Sequence, residues 1–139
     1  MIFKLCEKLP PMEEVEKQLR FNENTGCYVI FTGVVRGLTG DGEKVLGLYY
    51  EANESLASKV FSKIVEKAKK GIGIHDAVLY HKIGYAKVGE KVMYVGVSAR
   101  GRAEAFEAIQ ELVNRIKKEV PIWKKEITES KEYWVGVKE

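Results

Sequence analysis

Residues 102–126, RAEAFEAIQELVNRIKKEVPIWKKE, decide the fold. Ala105, Phe106, Ile109, Leu112, Val113 and Ile116 recur at spacings of three and four, which predicts one amphipathic helix over about Arg102–Glu119. Pro121 cannot continue that helix, so the chain must turn there. Trp123–Thr128 then reads as a strand, with Trp123 expected to anchor it in the core. Lys117 and Lys118 lie in the last helical turns, and Lys124 and Lys125 follow the stop. Ammonium groups held on rigid supports beside apolar surface suit an anionic substrate. A desolvated lysine also loses its proton more readily and can act as a nucleophile.

Outward from this stretch, strands and helices alternate. Ile2–Leu5 reads as a first strand, and Pro10 and Pro11 open a brief helix to about Leu19. GCYVIFTGVV, residues 26–35, is β-branched and aromatic almost throughout, so a strand covered on both faces is expected. Residues 36–43, RGLTGDGE, form a glycine-rich loop expected to be mobile without ligand, and Lys44–Glu51 returns as a strand. Asn53 is an N-cap candidate for a helix that carries Leu56, Ala57, Val60, Phe61, Ile64, Val65 and Ala68 on its apolar side and ends at Gly71 and Gly73. Ile74–Tyr85 and Lys91–Ser98 read as two strands joined through a hairpin turn, AKVGE; Glu132–Val137 closes the chain. The pattern predicts an α/β or α+β sandwich with helices over a largely antiparallel sheet, as one domain over residues 1–139.

Composition narrows the function classes. A net charge of +3 over 139 residues, with no RNP-like aromatic motif, argues against nucleic-acid binding. No run of 18 apolar residues is present, so no helical membrane span is expected. MIFKLCEKLPPMEEVEKQ lacks a long apolar run and a small-residue cleavage site, and a cytoplasmic protein is expected. Cys6 and Cys27 are isolated and read as free thiols. With His75 and His81 they match no usual zinc spacing, so no metal site is expected.

Three constellations are candidates for chemistry. Ser98-Ala99-Arg100-Gly101-Arg102 joins a strand end to a helix start, where unpaired backbone N–H groups, a glycine and two guanidinium forks suit a phosphate. The same residues also read as a polar helix start with solvated arginines. Arg36 lies at a strand exit beside the glycine-rich loop, placed to clamp an anion or simply to meet water. Lys117 and Lys124 flank the reversal at Pro121, which can bring both to one side of a pocket. A basic helix C-terminus accounts for Lys118 and, less fully, for Lys117, but not well for Lys124. His81 reads as a structural, hydrogen-bonded histidine and Cys27 as a small core residue. Tyr49, Tyr50 and Glu51 read equally as cleft or sheet.

FTGVVRG at 31–37, YYEA at 49–52, HKIGYAKVGE at 81–90, VGVSARGRAEAFEA at 95–108 and VPIWKKE at 120–126 stand in the order and spacing of one family. The chain resembles the catalytic (large) subunit of molybdopterin synthase. The resemblance implies an α+β, α/β hammerhead-type fold with an additional antiparallel β subdomain. It also implies a homodimer that binds a small ubiquitin-like sulfur carrier, whose C-terminal Gly-Gly thiocarboxylate supplies two sulfurs to cyclic pyranopterin monophosphate to form the dithiolene. No further cofactor is implied. By motif, Arg36 and Arg102 would hold the substrate phosphate and pterin, with Arg100 and Gly101 beside them. Lys117 would neutralise the carrier's carboxyl or move protons, and Lys124 would position substrate or stabilise developing charge. Gly101 departs from the family's common histidine, which puts an imidazole role in doubt. The leading expectation is a sulfurtransferase that needs no cysteine of its own. The alternative is a non-catalytic module that grips the tail of a ubiquitin-like partner.

Overall fold

The computed structural model describes residues 1–136; Val137, expected to end the last strand, lies outside the described residues. Two four-stranded sheets carry the fold. In the first, β1 (Ile2–Cys6) runs parallel to β4 (Asp76–Lys82), which pairs antiparallel with β6 (Lys91–Ala99), which pairs antiparallel with β2 (Cys27–Val34). The second is antiparallel throughout, in the order β5 (Gly84–Lys87), β3 (Val45–Ala52), β7 (Ile122–Thr128), β8 (Glu132–Val135). The expected α+β architecture with an additional antiparallel sheet is the one observed.

Period-two alternation sorts the first sheet. Val78, Tyr80 and Tyr94 face the short helix α1 (Met12–Gln18) around Val15 and Leu19. Ala77, Leu79, Val95 and Val97 face the long helices α2 (Glu54–Gly71) and α3 (Arg102–Glu119). The central strand β4 is therefore buried at every position, as a doubly covered strand must be. Asn53 caps α2 as expected, its side chain accepting from the Leu56 N–H at 3.2 Å.

Four expectations change. The segment Ile74–Tyr85 is not one strand: at Gly84, with φ +85°, the backbone enters the left-handed region and β5 leaves for the second sheet. The hairpin consequently joins β4 to β6, while among the described residues β5 pairs only with β3. β2 is not covered on both faces; it is the sheet's edge, and Tyr28 and Val34 are exposed. Trp123 is only half-buried, and its neighbour Ile122 provides the core anchor instead. Leu56 and Phe106, assigned to apolar stripes, are exposed, Phe106 at 61%. Each stripe is wider than the surface this chain offers it. Among the described residues no helix is long and apolar enough to cross a membrane.

Candidate active site

A cavity of about 710 Å³ opens where the two sheets and the end of α3 meet. Its apolar walls come from both sheets, including Phe31, Leu48, Met93 and Ile122. Its charged groups come from elements remote in the chain. Arg36 follows β2, Lys117 lies in the last turn of α3, and Lys124 stands on β7. Arg36 and Lys117 are exposed at the rim, while Lys124 is half-buried in the wall. Strand alternation separates the lysine pair: Lys124 faces the cavity, whereas Lys125 faces away, 5.6 Å from the ring centroids of both Tyr49 and Trp134.

Burial pushes the Lys124 ammonium below the usual lysine range. Lys117 and Arg36 repel it in the same direction, and Glu126 opposes them. Lys124 thus sheds its proton more easily than a surface lysine, in a place where three cations converge with one lining carboxylate, Glu126. The arrangement attracts an anion and supplies an amine able to take or return a proton.

Sequence reasoning left Tyr50 open between cleft and sheet, read His81 as structural and did not single out Glu126; all three line the cavity. Tyr50 is the direct cross-strand neighbour of Lys124, and burial pushes its phenol up to about 12. His81, read as structural, lines the cavity as well. Its Nδ1 lies 2.7 Å from the Lys82 carbonyl, and its ring meets Tyr50 edge-on at 4.8 Å. Glu126 follows Lys124 by two residues, so strand period alone would have put both on one face. No such signal existed for His81, because the chain breaks its strand pattern just beyond it.

The other predicted group lies elsewhere. Arg100, Gly101 and Arg102 stand at the opposite end of α3, and none lines the cavity. At the helical rise, Arg102 and Lys117 are ~22 Å apart. Arg100 and Arg102 are exposed, and Arg100 pairs with Glu104 at 3.4 Å. Gly101 has an extended backbone at φ −148°, and a Cβ there would come no closer than 3.6 Å to a Glu104 oxygen, so no steric demand requires glycine. Gly26 differs: a Cβ would stand 2.3 Å from the Arg100 carbonyl oxygen, which pins the start of β2 against this corner. The glycine-rich connection folds into a small hairpin. The Thr39 N–H donates to the Glu43 carbonyl at 2.8 Å, Leu38 bridges Lys44, and Ser130 donates to the Glu43 carboxylate. Leu38 from this hairpin reaches the cavity. Cys6 and Cys27 are free, and neither lines the cavity.

The same order of elements recurs in known proteins. Residues 6–119 match the family model described as MoaE protein. A molybdopterin synthase catalytic subunit from Pyrococcus abyssi is 43% identical over 114 residues, 82% of this chain and 76% of that protein. The crystal structure of molybdopterin synthase from Staphylococcus aureus superposes with a TM-score of 0.84 at 33% identity, covering 96% of each chain. A complex of subunits 1 and 2 of molybdopterin-converting factor from Helicobacter pylori shares the fold, with a TM-score of 0.74 at 22% identity.

Proposed function

Because this chain belongs to the MoaE family of molybdopterin synthase catalytic subunits, we propose that it transfers two sulfurs from the thiocarboxylated C-terminus of a small ubiquitin-like carrier to cyclic pyranopterin monophosphate. The observation that carries this reading is the meeting of Arg36, Lys117 and half-buried Lys124 in one cavity of about 710 Å³. The substrate phosphate and the carrier's terminal group are both anions, and both suit that cluster. In each transfer the thiocarboxylate sulfur bonds to a substrate carbon and displaces an oxygen there, and water then cleaves the acyl C–S bond, leaving the sulfur on the substrate and the carrier with a carboxylate. Arg36 holds the phosphate. Lys117, at the rim, neutralises the arriving tail, and Lys124, with its lowered proton affinity, moves protons as charge develops. Neither thiol lines the cavity, which agrees with a sulfur delivered from outside.

Arg102, with Arg100 and Gly101, takes part through a second copy of the chain. The edge strand β2 packs against α3, whose Phe106 is exposed and whose Ile109 and Val113 are half-buried. Two-fold pairing of these surfaces sets the α3 helices side by side and antiparallel, so Arg102 of the partner subunit approaches the cavity that holds Lys117. The supporting facts are the sheet edge at β2 and the exposed Phe106 on the helix that packs against it. Residues 1–139 act as one domain, supported by a core that draws on both sheets, and the reaction belongs to the cytoplasm, where both thiols stay reduced.

The test is reconstitution with thiocarboxylated carrier and the pterin precursor, with dithiolene formation as the readout. Product formed by the wild type and by the Cys6→Ala/Cys27→Ala variant supports the reading. Carrier bound without any product would leave only the tail-binding module.

A further inference from the structure

Glu126 lines the cavity on the same face of β7 as Lys124, two residues along. Same-face positions two apart on a strand are separated by ~6.6 Å, within reach of a glutamate and a lysine side chain. Yet no ion pair joins Lys124 to Glu126 among the described residues. The Glu126 carboxylate instead accepts a hydrogen bond from the Tyr133 hydroxyl, which comes from the facing position of β8. Tyr133 does not line the cavity; it grips Glu126 from the neighbouring strand.

We propose that Tyr133 is a positioning residue that keeps the Glu126 carboxylate turned away from Lys124, so that the Lys124 amine stays available to an anionic ligand. The surroundings are consistent with a poised carboxylate. Lys117 from α3 and Arg36 after β2 act on Lys124 from the cavity side, with Tyr50 on β3 and His81 on β4 completing the wall. Asp41 and Glu43 of the glycine-rich hairpin act on Tyr133 from the other side, and Lys131 stands 5.1 Å from its ring centroid. The hydrogen bond to Glu126 is the first cause that lifts the Tyr133 phenol to about 12. Without the hydroxyl, Glu126 is released to pair with Lys124, which binds the proton more firmly and cancels a charge the ligand would otherwise meet. This inference rests on the function proposed above only for the identity of the anion.

Competitive acetylation of Lys124 with trace acetic anhydride, read by peptide mass spectrometry across a pH series, measures the amine without any need for turnover. In Tyr133→Phe the titration of Lys124 should move upward, with labelling near about pH 8 falling by roughly threefold, the equivalent of half a pH unit. In Tyr133→Phe/Glu126→Gln that fall should vanish. Unchanged labelling in the single variant, or a fall that persists in the double variant, overturns the proposal. If Tyr133→Phe does not fold, Glu126→Gln read by carbon-13 tyrosine NMR decides the contact: the Tyr133 phenol should return toward its ordinary range, and an unmoved phenol overturns it. In the reconstituted assay Tyr133→Phe should raise KM for the pterin and lower kcat by roughly threefold, in step with the loss of free Lys124 amine. A wild type without turnover would remove the proposed function and still leave the labelling result to judge Tyr133.

Discussion

At one end of α3, Arg100 and Arg102 flank Gly101 in solvent; at the other, Lys117 and Lys124 border a cavity. The residue chemistry is similar at both ends, and both are helix termini beside strand ends. The surroundings differ. The N-terminal end lies against the start of β2, and the Glu104 carboxylate beside it already pairs with Arg100. The C-terminal end meets the second sheet, which walls in apolar surface and lowers the proton affinity of Lys124. A cation becomes a reactive group when a second layer desolvates it. Within a single chain, only one end of this helix has that layer.

The sharpest way to break the comparison is at the enclosed end. Lys117→Ala and Lys124→Ala should each lower single-turnover sulfur transfer by about 10²–10³-fold, the range for losing one preorganised charge-stabilising group. Dimer and carrier binding, followed by sedimentation, should persist. Near-normal transfer by either variant would remove that lysine from the chemistry.

The solvent end is next. Arg102→Ala should lower kcat/KM by about 10–100-fold, as for a charged hydrogen bond, although the residue lies outside its own chain's cavity. Mixing the impaired Arg102→Ala and Lys117→Ala proteins should restore about a quarter of wild-type activity, since half of randomly assorted dimers would carry one intact site of two. Absence of rescue after verified subunit exchange would confine Arg102 to the surface role that the single chain suggests.

Smaller effects concern stability. Lys124→Met should raise Tm by roughly a few degrees at neutral pH while it abolishes activity, because it removes a desolvated charge. The sign follows from the lowered proton affinity. Below the folded value Lys124 is charged in both states and its desolvation cost is full. As pH rises through that value toward the ordinary 10.5, the unfolded chain holds the proton that the folded chain has released, and the cost is relieved. The Tm advantage of Lys124→Met should therefore shrink with rising pH; a constant advantage would point to packing. Smallest of all, Gly101→Asn should stabilise by a few tenths of a kcal/mol in thermal unfolding, since it adds a side-chain acceptor at a helix start that has none. A clear loss would mean that this corner needs glycine after all.

Local periodicity decided much of what was found. The α3 stripe, the stop at Pro121, the Asn53 cap and the strand character of β2, β4 and β6 are short-range properties, set by side chains within a few residues of one another. The motifs likewise singled out Arg36, Lys117 and Lys124 as cations worth attention. Tertiary structure alone decided which of them share a cavity, that β2 is an edge, that β5 deserts its hairpin at Gly84, and that Ile122 anchors the core in place of Trp123. It also decided that Lys124 is desolvated while Lys125, one residue on, lies against aromatic rings on the opposite face. Proton affinity and enclosure are set by atoms brought in from distant parts of the chain, and no window of sequence contains them.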